Sequence, residues 1–187
     1  MRQRARLGMA MFLLSEAVFF FMLIAAFVYF RTQSLAAARV NLSLGAAAVF
    51  TACLLASSFT MWRAAVTGLR GWLAGTIGLG GVFLFGQARE YQRLSIADAG
   101  WTFYTPYQTT YSPTKSLFGT TFLTLTGLHA LHVLVGIVML AILLGLASSR
   151  RSGRRHTVVV ETVALYWYFV DIVWVAIFAI VYLWTSL

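Results

Sequence analysis

Leu117-Phe-Gly-Thr-Thr-Phe-Leu-Thr-Leu-Thr-Gly-Leu-His-Ala-Leu-His-Val-Leu-Val-Gly-Ile-Val-Met-Leu-Ala-Ile-Leu-Leu-Gly-Leu-Ala147 runs without a charged residue. As an α-helix it would extend ~46 Å at 1.5 Å per residue, more than the ~30 Å hydrocarbon core of a bilayer. Such a run reads as a membrane span that tilts or projects from the lipid. Backbone polar groups in hydrocarbon must be satisfied internally, so only helices and closed barrels cross a membrane. A continuous apolar run, rather than alternating ten-residue segments, selects the helix.

Outward from this segment, four more stretches have the same character. The five predicted spans cover about 7–30, 40–62, 71–88, 117–147 and 158–184. The expected fold is therefore all-α, a single integral membrane domain over residues 1–187 with five transmembrane helices. Composition agrees: 60% of the 187 residues are apolar and 10% charged. Soluble domains have roughly 45–50% apolar and about 25% charged residues, so a soluble enzyme and a disordered chain are both excluded. The basic start, Met1 to Arg6, superficially resembles a signal peptide. The apolar run behind it, Leu7 to Phe30, is too long for one and lacks a small-residue cleavage site, so it reads as a retained span.

The net charge of +9 does not indicate a nucleic-acid partner. The basic residues sit in small groups between uncharged runs, where they would lie beside lipid head groups. With five spans, Arg2, Arg4, Arg6, Arg63, Arg70, Arg150, Arg151, Arg154 and Arg155 fall on one side. Arg31, Arg39, Arg89, Arg93 and Lys115 fall on the other. The basic excess predicts a cytoplasmic N-terminus and a C-terminus outside. The long connection 90–116 is then external. It holds Pro106, Pro113 and the aromatics Trp101, Phe103, Tyr104, Tyr107 and Tyr111, which suit either an interfacial belt or a docking surface for a partner.

Cys53 is the only thiol, which excludes an intramolecular disulfide, a Cys-rich zinc site, an iron–sulfur cluster and a thiolate-bridged copper pair. Ionisable residues inside spans are more informative, because each is costly to bury unpaired. Glu16 lies ~13 Å into the first span by helical rise, near the membrane centre. Asp171 is comparably deep in the fifth span, and Glu161 lies about a turn inside its cytoplasmic end. Glu161, Tyr168 and Asp171 share one stripe of that helix, and His129 and His132 share a face of the fourth. These stripes are expected to point inward and meet. They suit a hydrogen-bonded cluster that fixes helix register, or a proton-linked role for Glu16 or Asp171. The histidine pair suits structural hydrogen bonding or, at i,i+3, metal chelation, but it cannot supply opposite axial ligands to one haem. His156, among four arginines, reads as a solvated loop residue. In the third span, Gly71, Gly75, Gly78, Gly81 and Gly86 fall in one broad arc, and Gly71 with Gly75 makes a small-xxx-small pair that predicts tight packing.

The same residues carry a family resemblance. Leu13-Leu-Ser-Glu-Ala-Val-Phe-Phe-Phe21 resembles the carboxylate-bearing helix of cytochrome c oxidase subunit III, and Gln87-Ala-Arg-Glu-Tyr91 resembles the end of a later helix. Gly119-Thr-Thr-Phe122 with Thr126-Gly-Leu-His-Ala-Leu-His-Val133 is similar to its double-histidine helix. Glu161 with Tyr166-Trp-Tyr-Phe-Val-Asp-Ile-Val-Trp174 is similar to its final helix. The motifs come in the family order across almost the whole chain, in the short, five-helix form of the subunit.

The resemblance implies a non-redox accessory subunit of a proton-pumping haem–copper terminal oxidase of the bacterial cytoplasmic membrane, stabilising subunit I and supporting its proton uptake. It implies no cofactor on this chain, haem and copper in partner subunits I and II, and structural phospholipid, with Arg63, Arg70, Arg154 and Arg155 as head-group candidates. Glu16 matches the membrane-buried family carboxylate; His129, His132, Glu161 and Asp171 match its other intramembrane polar positions. Tyr168 departs from the family pattern, which commonly has histidine there. The connection 90–116 is also longer and more aromatic than usual, which suits a further respiratory partner. A quinol oxidase or a nitric-oxide-reductase system could host the same subunit. A free-standing proton-linked transporter is a different reading, against which no span contains proline and no inverted repeat is present.

Overall fold

The computed structural model describes residues 2–31, 44–68, 70–98, 117–148 and 154–184. They form helices α1 (Arg2–Arg31), α2 (Leu44–Thr67), α3 (Arg70–Asp98), α4 (Leu117–Ser148) and α5 (Arg154–Phe178). A π-helical turn, Ala179–Leu183, extends α5. There is no strand among the described residues. Each helix contains a stretch long and apolar enough to cross a membrane: Arg6–Phe30, Leu44–Thr67, Arg70–Gln92, Thr120–Leu146 and Val158–Leu183.

Helices α2, α3, α4 and α5 close a ring in which each packs on the next, and α1 lies outside the ring against α4 and α5. Half of the α5 membrane stretch is buried inside the chain, against 11% for α1. The last helix is thus the axis of the bundle and the first is its periphery.

Two helices run well past the C-terminal end expected from the sequence. The second span was expected to stop at Trp62, before the charge of Arg63. Instead α2 runs to Thr67 and ends at Gly68, whose φ of +65° is the left-handed conformation that glycine adopts without steric cost. The Gly68 N–H donates to the Ala64 carbonyl at 2.9 Å and closes the helix. Arg63 does not interrupt it, because its guanidinium lies 5.4 Å from the centre of the Trp72 ring and 6.0 Å from that of Trp62. An aromatic face gives the cation a partner at the end of a span. The third span was expected to end at Ala88, yet α3 continues to Asp98. Arg89 turns its guanidinium over the Phe85 ring, 5.2 Å from its centre, and Glu90 is buried in the bundle. The expected loop 90–116 therefore begins as helix. Its prolines and its aromatics from Trp101 onward lie outside the described residues.

The ring is filled by Trp167 of α5. This side chain is buried and seated against two glycines of neighbouring helices. A Cβ built on Gly80 of α3 would stand 2.8 Å from its ring, and one on Gly136 of α4 would stand 2.9 Å away. On the third helix the tight approaches are therefore at Gly80 and Gly86, the latter pressed against Phe50 of α2. Gly71, Gly78 and Gly81 meet nothing within 4 Å, and a Cβ on Gly75 would only touch Thr60 at 3.9 Å. The expected Gly71–Gly75 contact is not the one the fold uses.

Gly136→Val should overpack the Trp167 slot and lower stability by about 1–3 kcal/mol, whereas Gly78→Ala should be neutral. Thermal unfolding of the two purified variants in one detergent measures the difference, and equal midpoints would contradict the slot.

Candidate functional site in the membrane

Glu16 of α1 and His132 of α4 meet where α1 lies on the ring. His132 Nε2 is 3.2 Å from Glu16 Oε2, and His132 Nδ1 is 2.8 Å from the Leu128 carbonyl one turn earlier. A carbonyl only accepts, so Nδ1 carries a hydrogen and donates it. The Nε2···Oε2 contact then needs one further proton, on the imidazole or on the carboxyl group. In either arrangement the pair is neutral as a unit, which is how two ionisable groups reside at this depth. The Tyr166 hydroxyl of α5 donates to the His132 carbonyl at 3.0 Å, and the Phe20 ring stands edge-on to the His132 ring at 5.0 Å. Residues of α1 and α4 therefore hold the imidazole, and Tyr166 of α5 holds the backbone that carries it.

His129 lies one turn away with a different environment. It is fully buried, with Phe20, Phe83 and Trp174 around its ring at centroid distances of 6.3, 6.0 and 4.9 Å. Neither of its ring nitrogens has a hydrogen-bond partner among the described residues. The two histidines share a helix face, as expected, but one is held by polar contacts and the other by aromatic rings. Among the described residues, no group of three or more His, Cys, Asp or Glu side chains is placed to hold a metal ion.

The α5 stripe is divided between two neighbouring helices and does not converge on the histidines. Glu161 accepts a hydrogen bond from Arg6 of α1 at 2.8 Å. Asp171 is buried and accepts from the Ser58 hydroxyl of α2 through Oδ2, while its Oδ1 has no partner among the described residues. Tyr168 is half-buried, packed against the core. Of the head-group candidates, Arg63 is between Trp62 and Trp72, and Arg70 is exposed at the start of α3. Arg154 and Arg155 fall within α5, but their side chains, like that of His156, lie outside the described residues.

Several partners escaped the sequence reading. The α2–α5 seam is a ladder of hydroxyls: Trp174 Nε1 donates to Thr51 Oγ1 at 2.9 Å, and Trp167 Nε1 donates to Ser57 Oγ at 3.0 Å. Each hydroxyl passes its own hydrogen to a carbonyl of its own helix, Thr51 to Ala47 and Ser57 to Leu54. A second group joins α3 to α4, where Gln87 donates to the Tyr91 hydroxyl at 3.3 Å and Tyr91 donates to Thr126 at 2.8 Å. The available signal was the set of hydroxyl residues at 51, 57, 58 and 60 in the uncharged part of α2 before Arg63.

The sequence model of a family described as cytochrome c oxidase subunit III matches residues 1–186. The chain belongs to this family. It is 33% identical to cytochrome c oxidase subunit 3 of Corynebacterium diphtheriae over 94% of this chain and 85% of that protein. Similarity to the Synechocystis subunit 3 is 34% identity over 94% of this chain and 74% of that protein. For the Thermostichus vulcanus subunit 3 the values are 31%, 96% and 87%. Membership accords with the order of motifs on four of the five helices and makes the chain a multi-pass membrane protein.

In this subunit III relative, Ser58→Ala should strand the Asp171 carboxyl without a donor and cost about 1–3 kcal/mol, the usual penalty for a buried polar group that loses its partner. Adding Asp171→Leu should recover most of the loss, because neither polar group then remains. Unfolding midpoints of the single and double variants measure both steps; an unaltered Ser58→Ala protein would remove the bond from the account of stability.

Proposed function

We propose that this chain is the non-redox accessory subunit III of a haem–copper terminal oxidase that reduces dioxygen to water and pumps protons in a bacterial cytoplasmic membrane. The family match along residues 1–186 carries the reading. The chemistry of the described residues supports it. Two of their intramembrane carboxyl groups are committed to helix–helix contacts, Glu16 with His132 and Asp171 with Ser58. Oxygen reduction then belongs to partner subunits I and II, which hold haem and copper, and this chain stabilises subunit I. The predicted orientation places Arg6, Arg63 and Arg70 at the cytoplasmic head groups, where they attract anionic lipid. A groove of about 280 Å³ between α1, α4 and α5, lined by Met9, Phe12, Leu131, Val135, Met139 and neighbouring atoms of His132 and Tyr166, suits an acyl chain. The segment beyond Asp98 is assigned to a further respiratory partner outside the membrane.

Affinity purification of the tagged chain from mild-detergent membranes should bring down a haem-containing subunit I, seen as visible absorbance. The accompanying subunit II then distinguishes a cytochrome c oxidase from a quinol oxidase. A solitary, haem-free protein would overturn the assignment.

Glu16 is the group proposed to link this subunit to proton supply. Glu16→Gln keeps the shape of the side chain and removes its ionisable proton. In the assembled complex it should slow proton uptake; unchanged uptake and pumping stoichiometry would leave Glu16 as a helix tie alone.

A further inference from the structure

Helix α1 is attached to the bundle in two different ways along its length. Its second half is anchored by Phe20 and Phe27, which are 2% and 0% exposed. From Arg6 to Phe19 no side chain is buried. Met9 and Leu13 only rest against the core. Two polar contacts hold this stretch: Arg6 to Glu161 at 2.8 Å near the membrane surface, and Glu16 to His132 at 3.2 Å deeper in. Beneath it runs the groove lined by Met9 and Phe12 on one side and by Leu131, Val135 and Met139 of α4 on the other.

We infer that the first half of α1 is a hinged arm that closes over this groove, pivoting at Phe20 and latched by the Arg6–Glu161 and Glu16–His132 contacts. Apolar packing contributes little to closure, since in lipid there is no hydrophobic drive between helices and association rests on close packing and polar contacts. An arm without buried side chains has little of the first, so the two polar latches set its position. The outer latch is half exposed at Arg6, so salt and the charge of Glu161 act on it. The inner latch depends on the single proton shared by Glu16 and His132. The titratable groups facing the arm are Glu161 and Tyr166 of α5 and His132 of α4, with His129 behind Phe20 at the pivot, and the arm itself contributes Arg6 and Glu16. Opening would separate Met9 and Phe12 from α4 and expose the Glu16–His132 pair to whatever enters from the membrane.

Spin labels test the hinge in the purified assembly. In a Cys53→Ser background, one label pair is placed near the latches by Leu7→Cys and Val159→Cys, and another beyond the pivot by Tyr29→Cys and Leu183→Cys, all at exposed positions. The latch pair should give one narrow distance distribution. Glu161→Leu and Glu16→Leu, which remove both hydrogen-bonding groups, should each broaden it, and together they should add a longer-distance population, while the far pair stays narrow. The charge exchange Arg6→Glu with Glu161→Arg should restore the narrow distribution that either change alone loses. An unaltered distribution in the doubly unlatched protein overturns the proposal. Broadening of both label pairs also overturns it, because α1 would then detach as a whole rather than pivot at Phe20.

Discussion

The bundle depends on one side chain inserted between three helices. Trp167 leaves α5, passes between Gly80 and Gly136, and gives its indole N–H to Ser57. Each of those contacts constrains a different neighbour. The two glycines set how closely α3 and α4 approach α5, because any larger residue would meet the ring. The hydroxyl sets the height of α2 against α5. Helices in lipid gain nothing by merely hiding apolar surface from one another, so a bulky ring in a fitted slot with a satisfied N–H is the kind of contact that can hold them.

The same requirement explains why an apolar chain carries so many small hydroxyls. An indole N–H or a carboxyl group in hydrocarbon needs a partner, and Ser and Thr supply one without disturbing the helix that carries them. Thr51 and Ser57 each accept from a tryptophan and return their own hydrogen to a carbonyl of α2. Ser58 does the equivalent service for Asp171. The resulting ladder runs antiparallel along α2 and α5 and fixes their register: a slip of one residue would leave Trp167, Asp171 and Trp174 unpartnered together.

How much of this is visible in the sequence depends on the range of the interaction. The five helices were legible because hydrophobicity is read locally, over the width of a bilayer. Ionisable residues within the runs were legible for the same reason, but the α5 stripe expected to meet the histidines does not, and it is Glu16 that meets His132. Their neighbours were less so. Periodicity shows that Glu161, Tyr168 and Asp171 share a stripe, but not that a helix tucked among three others can turn different parts of that stripe to α1 and to α2. Glu90 was lost to a predicted loop, because charge at a span's end reads as water; the bundle buries it instead. Gly80 was missed because one arc of glycines was followed, while the decisive glycine is the one that happens to face Trp167. The ring that makes a glycine necessary lies 87 positions away in the chain, beyond any window of local pattern.

Burial is distributed unevenly, and the unevenness has a physical consequence. Helix α5 spends half of its membrane stretch inside the chain, whereas α1 spends about a tenth. A helix held by packing along its whole length moves only if the core is remade, since packed interiors resist continuous deformation. A helix held by a few polar contacts moves when one of them changes. The carboxyl group of Glu16 therefore sits on the element least constrained by packing, opposite an imidazole of α4 whose Nδ1 is tied to the Leu128 carbonyl. For the proposed arm, an imidazole held by its own helix and facing a carboxyl group on a lightly held helix would link the proton between them to the position of that helix.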